Sequence, residues 1–163
     1  MGEHFKRSYI PTVGADFSYK EIKLQNQIYR LLLWDLAGEE KFRNVRSLYF
    51  QGVFGVFLIF DLTSRKSFEV LDKWIEDIET STPTKGVPIW LVANKKDLVI
   101  IEKSPIPESE ITNYVNALNA KYEGKFEIGY SRTSAATGEN VSASFDGLIT
   151  NIMQWVPKRR VSG

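Results

Sequence analysis

Cysteine is absent from the 163 residues, and histidine occurs once, at His4. Without a thiol there is no disulfide framework, no thiolate metal site, no cysteine nucleophile and no thioether or thioester lipid anchor. A single histidine close to the chain start argues against a His-based zinc centre and against a Ser-His-Asp triad. An excess of either charge is also missing: 21 Lys and Arg against 20 Asp and Glu give a net charge of +1. That balance argues against a partner attracted by overall charge, whether nucleic acid or membrane surface. No apolar run approaches the ~20 residues of a membrane-spanning helix, and the start lacks the apolar segment of a secretory signal. The Met1-Gly2 start lacks the Ser or Thr that myristoylation wants at the sixth position, which is Lys6. The expectation is a soluble, cytoplasmic protein whose chemistry rests on carboxylates, amides, hydroxyls and backbone.

What is present is an ordinary globular balance, 43% hydrophobic and 25% charged, in a length that suits one domain. The segments Asp16 to Leu24 and Ile28 to Leu36 flank the polar turn Gln25-Asn26-Gln27 and read as a β-hairpin. The alternation in the first of them slips phase around Lys20-Glu21. Val53 to Leu62 and Val87 to Ala93 are nearly unbroken apolar runs, the pattern of strands covered on both faces in a parallel sheet. Phe126 to Tyr130 is a shorter strand candidate.

Between the strands the period becomes helical. Phe68, Leu71, Ile75 and Ile78 share one face, and Ile111, Tyr114, Val115 and Leu118 do so after the start signal Pro107-Glu108. Phe145, Leu148, Ile149, Ile152 and Val156 form a last amphipathic helix, which Pro157 is expected to end. The expected organisation is one α/β domain over residues 1–157, followed by a short basic tail over 158–163. Its sheet is mostly parallel and flanked by helices.

In such sheets ligands bind beyond the carboxyl ends of the strands. Three turns there carry chemistry. Asp35-Leu36-Ala37-Gly38 could hold Mg²⁺ through Asp35 and offer a backbone N–H of Gly38 to a phosphate, although a simple Asp-capped turn would look the same. In Asn94-Lys95-Lys96-Asp97, the Asp97 carboxylate could accept two hydrogen bonds from the N1–H and exocyclic amine of guanine. Adenine offers no such pair. The plain alternative is a turn with a helix cap. Thr133-Ser134-Ala135 is a small-residue turn whose backbone N–H could reach a base carbonyl.

Taken in order, these turns resemble the signature loops of Ras-like GTPases. Asn94 to Asp97 resembles the N-K-x-D base motif, Thr133 to Ala135 the second guanine-contacting loop, and Asp35 to Gly38 the D-x-x-G of switch II. Pro11-Thr12-Val13-Gly14 resembles switch I. Within that superfamily the chain is most similar to the Rab branch, through Val13 to Phe17, Lys41-Phe42-Arg43, Tyr49 to Gly52 and Leu58 to Asp61. The resemblance implies a P-loop NTPase fold, GTP or GDP with Mg²⁺ as cofactor, and a switch used in vesicle trafficking. It implies a nucleotide site of Thr12, Asp35, Gly38, Asn94, Lys95, Asp97, Ser134, Ala135 and Ala136, with Thr12 and Asp35 on the metal. Protein effectors and regulators would bind the switch regions, and Phe17, Trp34 and Tyr49 fall where Rabs carry an effector-binding aromatic trio.

Two departures from the family pattern stand out. Glu39 follows Gly38 where the family has the glutamine that positions the attacking water. As the catalytic residue, Glu39 could accept a hydrogen bond from that water but could not donate one, so slow hydrolysis is expected. Second, the pattern G-x-x-x-x-G-K-[ST] occurs nowhere in the 163 residues. The family places a first strand, this loop and a first helix before switch I. Their absence gives the expectation that the chain is an N-terminally incomplete piece. The alternative is a nucleotide-free pseudo-GTPase that serves as an interaction module. Rabs also end in prenylated cysteines; with no cysteine here, membranes would be reached only through partners.

Overall fold

The computed structural model describes residues 15–24, 26–36, 48–82, 86–99 and 105–161. Its strands form two sheets, one of two strands and one of three, and the chain divides into compact units over residues 1–52 and 53–163.

The first unit carries the hairpin. β1 (Ala15–Leu24) and β2 (Gln27–Leu36) pair antiparallel from Ala15 opposite Leu36 to Leu24 opposite Gln27. That register leaves a two-residue turn, in which Asn26 takes a positive φ of 62°, a conformation that asparagine tolerates. The ladder runs unbroken through Lys20-Glu21, so the slip in the sequence pattern is not a bulge. Phe17 and Tyr19 lie on one face while Ile22 and Leu24 lie on the other. Most residues of both strands are at least partly exposed on either face, so neither face imposes a strict alternation.

The second unit is built on β3 (Val56–Asp61), β4 (Pro88–Asn94) and β5 (Glu127–Arg132), all parallel, in the order β3-β4-β5. α1 (Arg65–Glu69) and α2 (Leu71–Ser81) follow β3, and α3 (Glu108–Lys121) precedes β5. α4 (Val141–Val161) closes the chain. The helical periodicity from Phe68 to Ile78 suggests one helix; the structure breaks it at Val70, whose ψ is −4° and whose N–H bonds the Phe68 carbonyl. Phe68, Leu71, Ile75 and Ile78 are nonetheless all buried. Pro157 does not end the last helix, contrary to the sequence expectation. A proline lacks only one helical N–H, and near a terminus the lost bond is tolerated more easily than in a helix centre.

Each strand presents two sets of side chains. On one side, Phe60 meets Phe68, which meets Tyr114 of α3, with ring centroids 5.1 Å apart in both pairs. On the other, Phe57 packs edge-on against Phe145 of α4 at 5.0 Å. Trp90 of β4 also faces α4, and two glycines make room for it. A Cβ on Gly147 would lie 2.2 Å from the indole, and one on Gly129 would lie 2.5 Å away. The indole N–H donates to Ser131 Oγ at 3.0 Å, and Ser131 in turn bonds Ser144 of α4 at 2.6 Å. A layer on both faces explains why β4 reads as a continuous apolar run. At the β5 edge, Asn119 of α3 donates to the Ile128 carbonyl at 2.8 Å and accepts its N–H at 2.9 Å. A side chain thereby satisfies backbone groups that an edge strand would otherwise expose.

Candidate functional site

The carboxyl ends of β3, β4 and β5 are joined by a hydrogen-bonded knot. The Thr133 N–H bonds the Ala93 carbonyl and the Lys96 N–H bonds the Thr133 carbonyl, both at 2.9 Å, so the turns after β4 and β5 are tied by main chain. Asn94 Oδ1 then accepts the Ala135 N–H at 3.0 Å and the Thr133 hydroxyl at 3.2 Å. Ser134, fully buried, donates its hydroxyl to Asp97 Oδ1 at 2.5 Å and accepts the Thr137 N–H at 3.1 Å. Its own N–H goes to the Glu139 carbonyl at 3.1 Å, and Glu139 pairs with Lys96.

The local backbone explains the compactness. Lys95 sits in the left-handed region at φ 65°, and the next residues form a 3₁₀ turn over Lys96–Leu98. A lysine there costs more than a glycine or asparagine would, and such strain persists only where surroundings over-determine it. Here they do: the Lys96 and Leu98 N–H groups are both bonded, and the Lys95 ammonium lies 2.7 Å from Asp61 Oδ2. Asp61 Oδ1 accepts the Thr63 N–H at 2.8 Å and the Thr63 hydroxyl at 2.7 Å. Burial pushes the Asp61 carboxyl up, but Lys95 and the two Thr63 donors outweigh it and hold it below its ordinary value. Beside this knot, Arg132 donates to Glu108 Oε2 at 2.6 Å and Tyr130 to Oε1 at 3.2 Å. The Arg132 bond is the main reason that Glu108 also sits below its ordinary value.

Of the residues that the sequence singled out, Asn94, Lys95, Asp97, Ser134 and Ala135 are thus brought into one cluster at the end of the parallel sheet. Ala136 follows them in the exposed turn. Within the Thr133-Ser134-Ala135 turn, whose backbone N–H the sequence offers to a base carbonyl, the Ala135 N–H is bonded to Asn94 Oδ1. Asp35 lies near the end of β2, opposite Asp16, in the other unit. Thr12, Gly38 and Glu39 lie outside the described residues.

The aromatic trio lies wholly in the first unit. Phe17 and Trp34 are directly opposite each other across the ladder, with centroids 5.7 Å apart, and Trp34 meets Tyr49 at 5.1 Å. The sequence reading missed Tyr19 and Leu32, which oppose each other on the same face as Phe17 and Trp34. Tyr19 is 75% exposed and Phe17 is 57% exposed. Their period-2 spacing was the available signal. Asp61 was also passed over as a site residue, although it stands opposite Asn94 in the ladder.

Strand ends tied into one polar knot, after alternating strands and helices, define a Ras-like α/β protein, and comparison with known proteins agrees. Residues 1–154 match the Ras family, and the chain belongs to it. Its relatives are Rab proteins. It is 32% identical over 141 residues to the GTP-binding protein ypt1 of Schizosaccharomyces pombe, an alignment covering 86% of this chain and 64% of that protein. It is 29% identical over 160 residues to the Ras-related protein RABA4b of Arabidopsis thaliana, covering 98% and 66%. It is 32% identical over 145 residues to the Ras-related protein Rab-1 of Theileria annulata, covering 85% and 65%. The chain therefore spans slightly less than two thirds of the length of these curated relatives. Among the described residues, no helix is long and apolar enough to cross a membrane.

Proposed function

We propose that the protein is a guanine-nucleotide-dependent switch of the Rab type, working in the cytoplasm and in vesicle trafficking. The observation that carries the reading is the Asp97 carboxylate, oriented by the buried Ser134 hydroxyl at the mouth of the parallel sheet. An oriented carboxylate can accept both donors of a guanine edge, and an adenine would leave its oxygens unpaired. Asn94 and the Ala135 N–H form the adjoining side, where a base carbonyl would compete with the carboxamide for that N–H. Asp35 is one exposed carboxylate at a strand end, which suits Mg²⁺. This ion takes one or two protein oxygens and fills the rest of its shell with water and phosphate. Thr12 would be its other protein ligand, and Mg²⁺ would supply charge neutralisation between phosphate oxygens. The Thr12 and Gly38 segments would be held in the GTP state and released after hydrolysis. In the held state, the exposed face around Phe17, Trp34 and Tyr49 would receive protein effectors. Glu39 would slow hydrolysis, since it can accept from the attacking water but places a negative charge near the γ-phosphate.

Nucleotide affinity and single-turnover GTP hydrolysis of the full-length protein test this reading together. Guanine nucleotides are expected to bind and adenine nucleotides to be rejected. Asp97→Ala should weaken guanine binding by roughly 10- to 100-fold, the equivalent of a hydrogen bond to a charged group. Glu39→Gln should speed hydrolysis without changing affinity. Failure of the full-length protein to bind guanine nucleotide would reject the switch and leave a pseudo-GTPase interaction module.

A further inference from the structure

We propose that Asp61 is a positioning residue for nucleotide binding, acting through Lys95; this rests on the guanine-nucleotide reading above. Three observations carry it. Asp61 ends β3 directly opposite Asn94, so the ladder itself brings its carboxylate beside the turn that begins with Asn94. Lys95 takes a left-handed backbone conformation that directs its side chain back toward β3, where its ammonium meets Asp61 Oδ2 at 2.7 Å. The two Asp61 oxygens divide the work: Oδ1 takes both Thr63 donors, and Oδ2 takes the lysine. Thr63 thus fixes the carboxylate, and the carboxylate fixes the lysine between Asn94 and Asp97. The Asp61 N–H is itself bonded to Ser67 Oγ at 2.9 Å, so the whole strand end is held by the first turn of α1.

A cation with a flexible four-carbon stem would otherwise sample many rotamers, and ordering it would oppose ligand binding. With Asp61 in place the ordering has already occurred in the free protein, which is preorganisation in the strict sense. The competing account is that Asp61 serves only as the cap of the Thr63 turn. Asparagine separates the two, because its Oδ1 can still accept from Thr63 while the negative charge facing Lys95 is lost.

The experiment measures the affinity of the full-length protein and its variants for N-methylanthraniloyl GDP with Mg²⁺, together with their thermal midpoints. Asp61→Asn is expected to weaken binding by about tenfold, within the range of coupling between residues in contact. Its thermal midpoint at neutral pH should fall only slightly, by the small charge contribution of Asp61 that the asparagine lacks. In a Lys95→Met background the same substitution should change affinity by less than about twofold, because Asp61 acts through the lysine. Asp61→Glu, which retains the charge, should restore most of the loss. Unchanged affinity in Asp61→Asn would overturn the proposal, as would independent effects in the double variant or a loss of affinity that tracks a loss of stability. Absence of binding by the parent would overturn the guanine reading and this inference together, whereas normal parental binding with any of the other contrary results overturns the inference alone.

Discussion

The two sheets use similar residues for opposite ends. In the three-stranded unit, Phe60, Leu91 and Ile89 are buried beneath packed helices, although Ile59 on β3 is exposed. In the hairpin, Phe17, Tyr19, Leu32 and Trp34 are exposed, although aromatic and branched residues there are just as frequent. Burial of a large apolar side chain contributes about 1.5–3 kcal/mol, so the first set holds the fold while the second gives up much of that gain. A contiguous exposed apolar face of this sort marks an interaction surface more often than a packing defect. Hydrophobicity alone therefore does not separate core from contact surface; the presence of a covering layer does.

The sharpest way to break this contrast is a pair of truncations. Phe60→Ala should destabilise the protein by about 3–5 kcal/mol, the usual cost of emptying a buried aromatic site. Phe17→Ala should cost less than about 1 kcal/mol, the range of a cross-strand pair on an open face. Denaturant unfolding followed by circular dichroism reads both, and equal losses would show that the hairpin face is covered in solution.

A smaller effect is expected at Gly147. In a helix interior, alanine for glycine ordinarily gains about 1 kcal/mol. Here the new Cβ would meet the Trp90 ring at 2.2 Å, and overpacking of that kind costs about 1–3 kcal/mol. Gly147→Ala should therefore lower the thermal midpoint rather than raise it. A raised midpoint would mean that Trp90 moves at little cost.

The smallest effect concerns acid. Asp61 and Glu108 both sit below their ordinary values of 3.8 and 4.5 in the folded chain, so the unfolded chain takes up these protons first as pH falls. Their contribution is complete above those ordinary values and drains away as pH drops through them toward the folded values. Unfolding midpoints measured from pH 6 down to about pH 3 should decline, and Asp61→Asn should flatten part of the decline. An identical slope in that variant would remove Asp61 from the account.

Much of the fold was legible because local pattern and covering agree in the second unit. The apolar runs Val53 to Leu62 and Val87 to Ala93 hold the parallel strands Val56–Asp61 and Pro88–Asn94, and the shorter candidate Phe126 to Tyr130 overlaps the third, Glu127–Arg132. The helix break at Val70 was not legible, because the residues around it keep their buried face through the break. Pro157 misled for a related reason: its local rule concerns one hydrogen bond, and a long packed helix outweighs that near its end. In the candidate site, Asn94, Lys95, Asp97 and the Ser134 turn were readable as a motif, whereas Asp61 was not. Its role depends on a residue 34 positions along the chain, reached only through strand register.

The order of strands and helices, the hairpin turn and the polar residues at strand ends follow from the sequence, since periodicity and turn chemistry act over a few residues. Tertiary structure alone decided which of those polar groups meet. It gave the Ala135 N–H to Asn94 and the Ser134 hydroxyl to Asp97. It also placed Trp90 against two glycines from different elements and lined up Tyr19 with Leu32 beside the aromatic trio. Those pairings arise from register and from helices packed on the sheet, which join residues far apart in sequence at distances of a few ångströms.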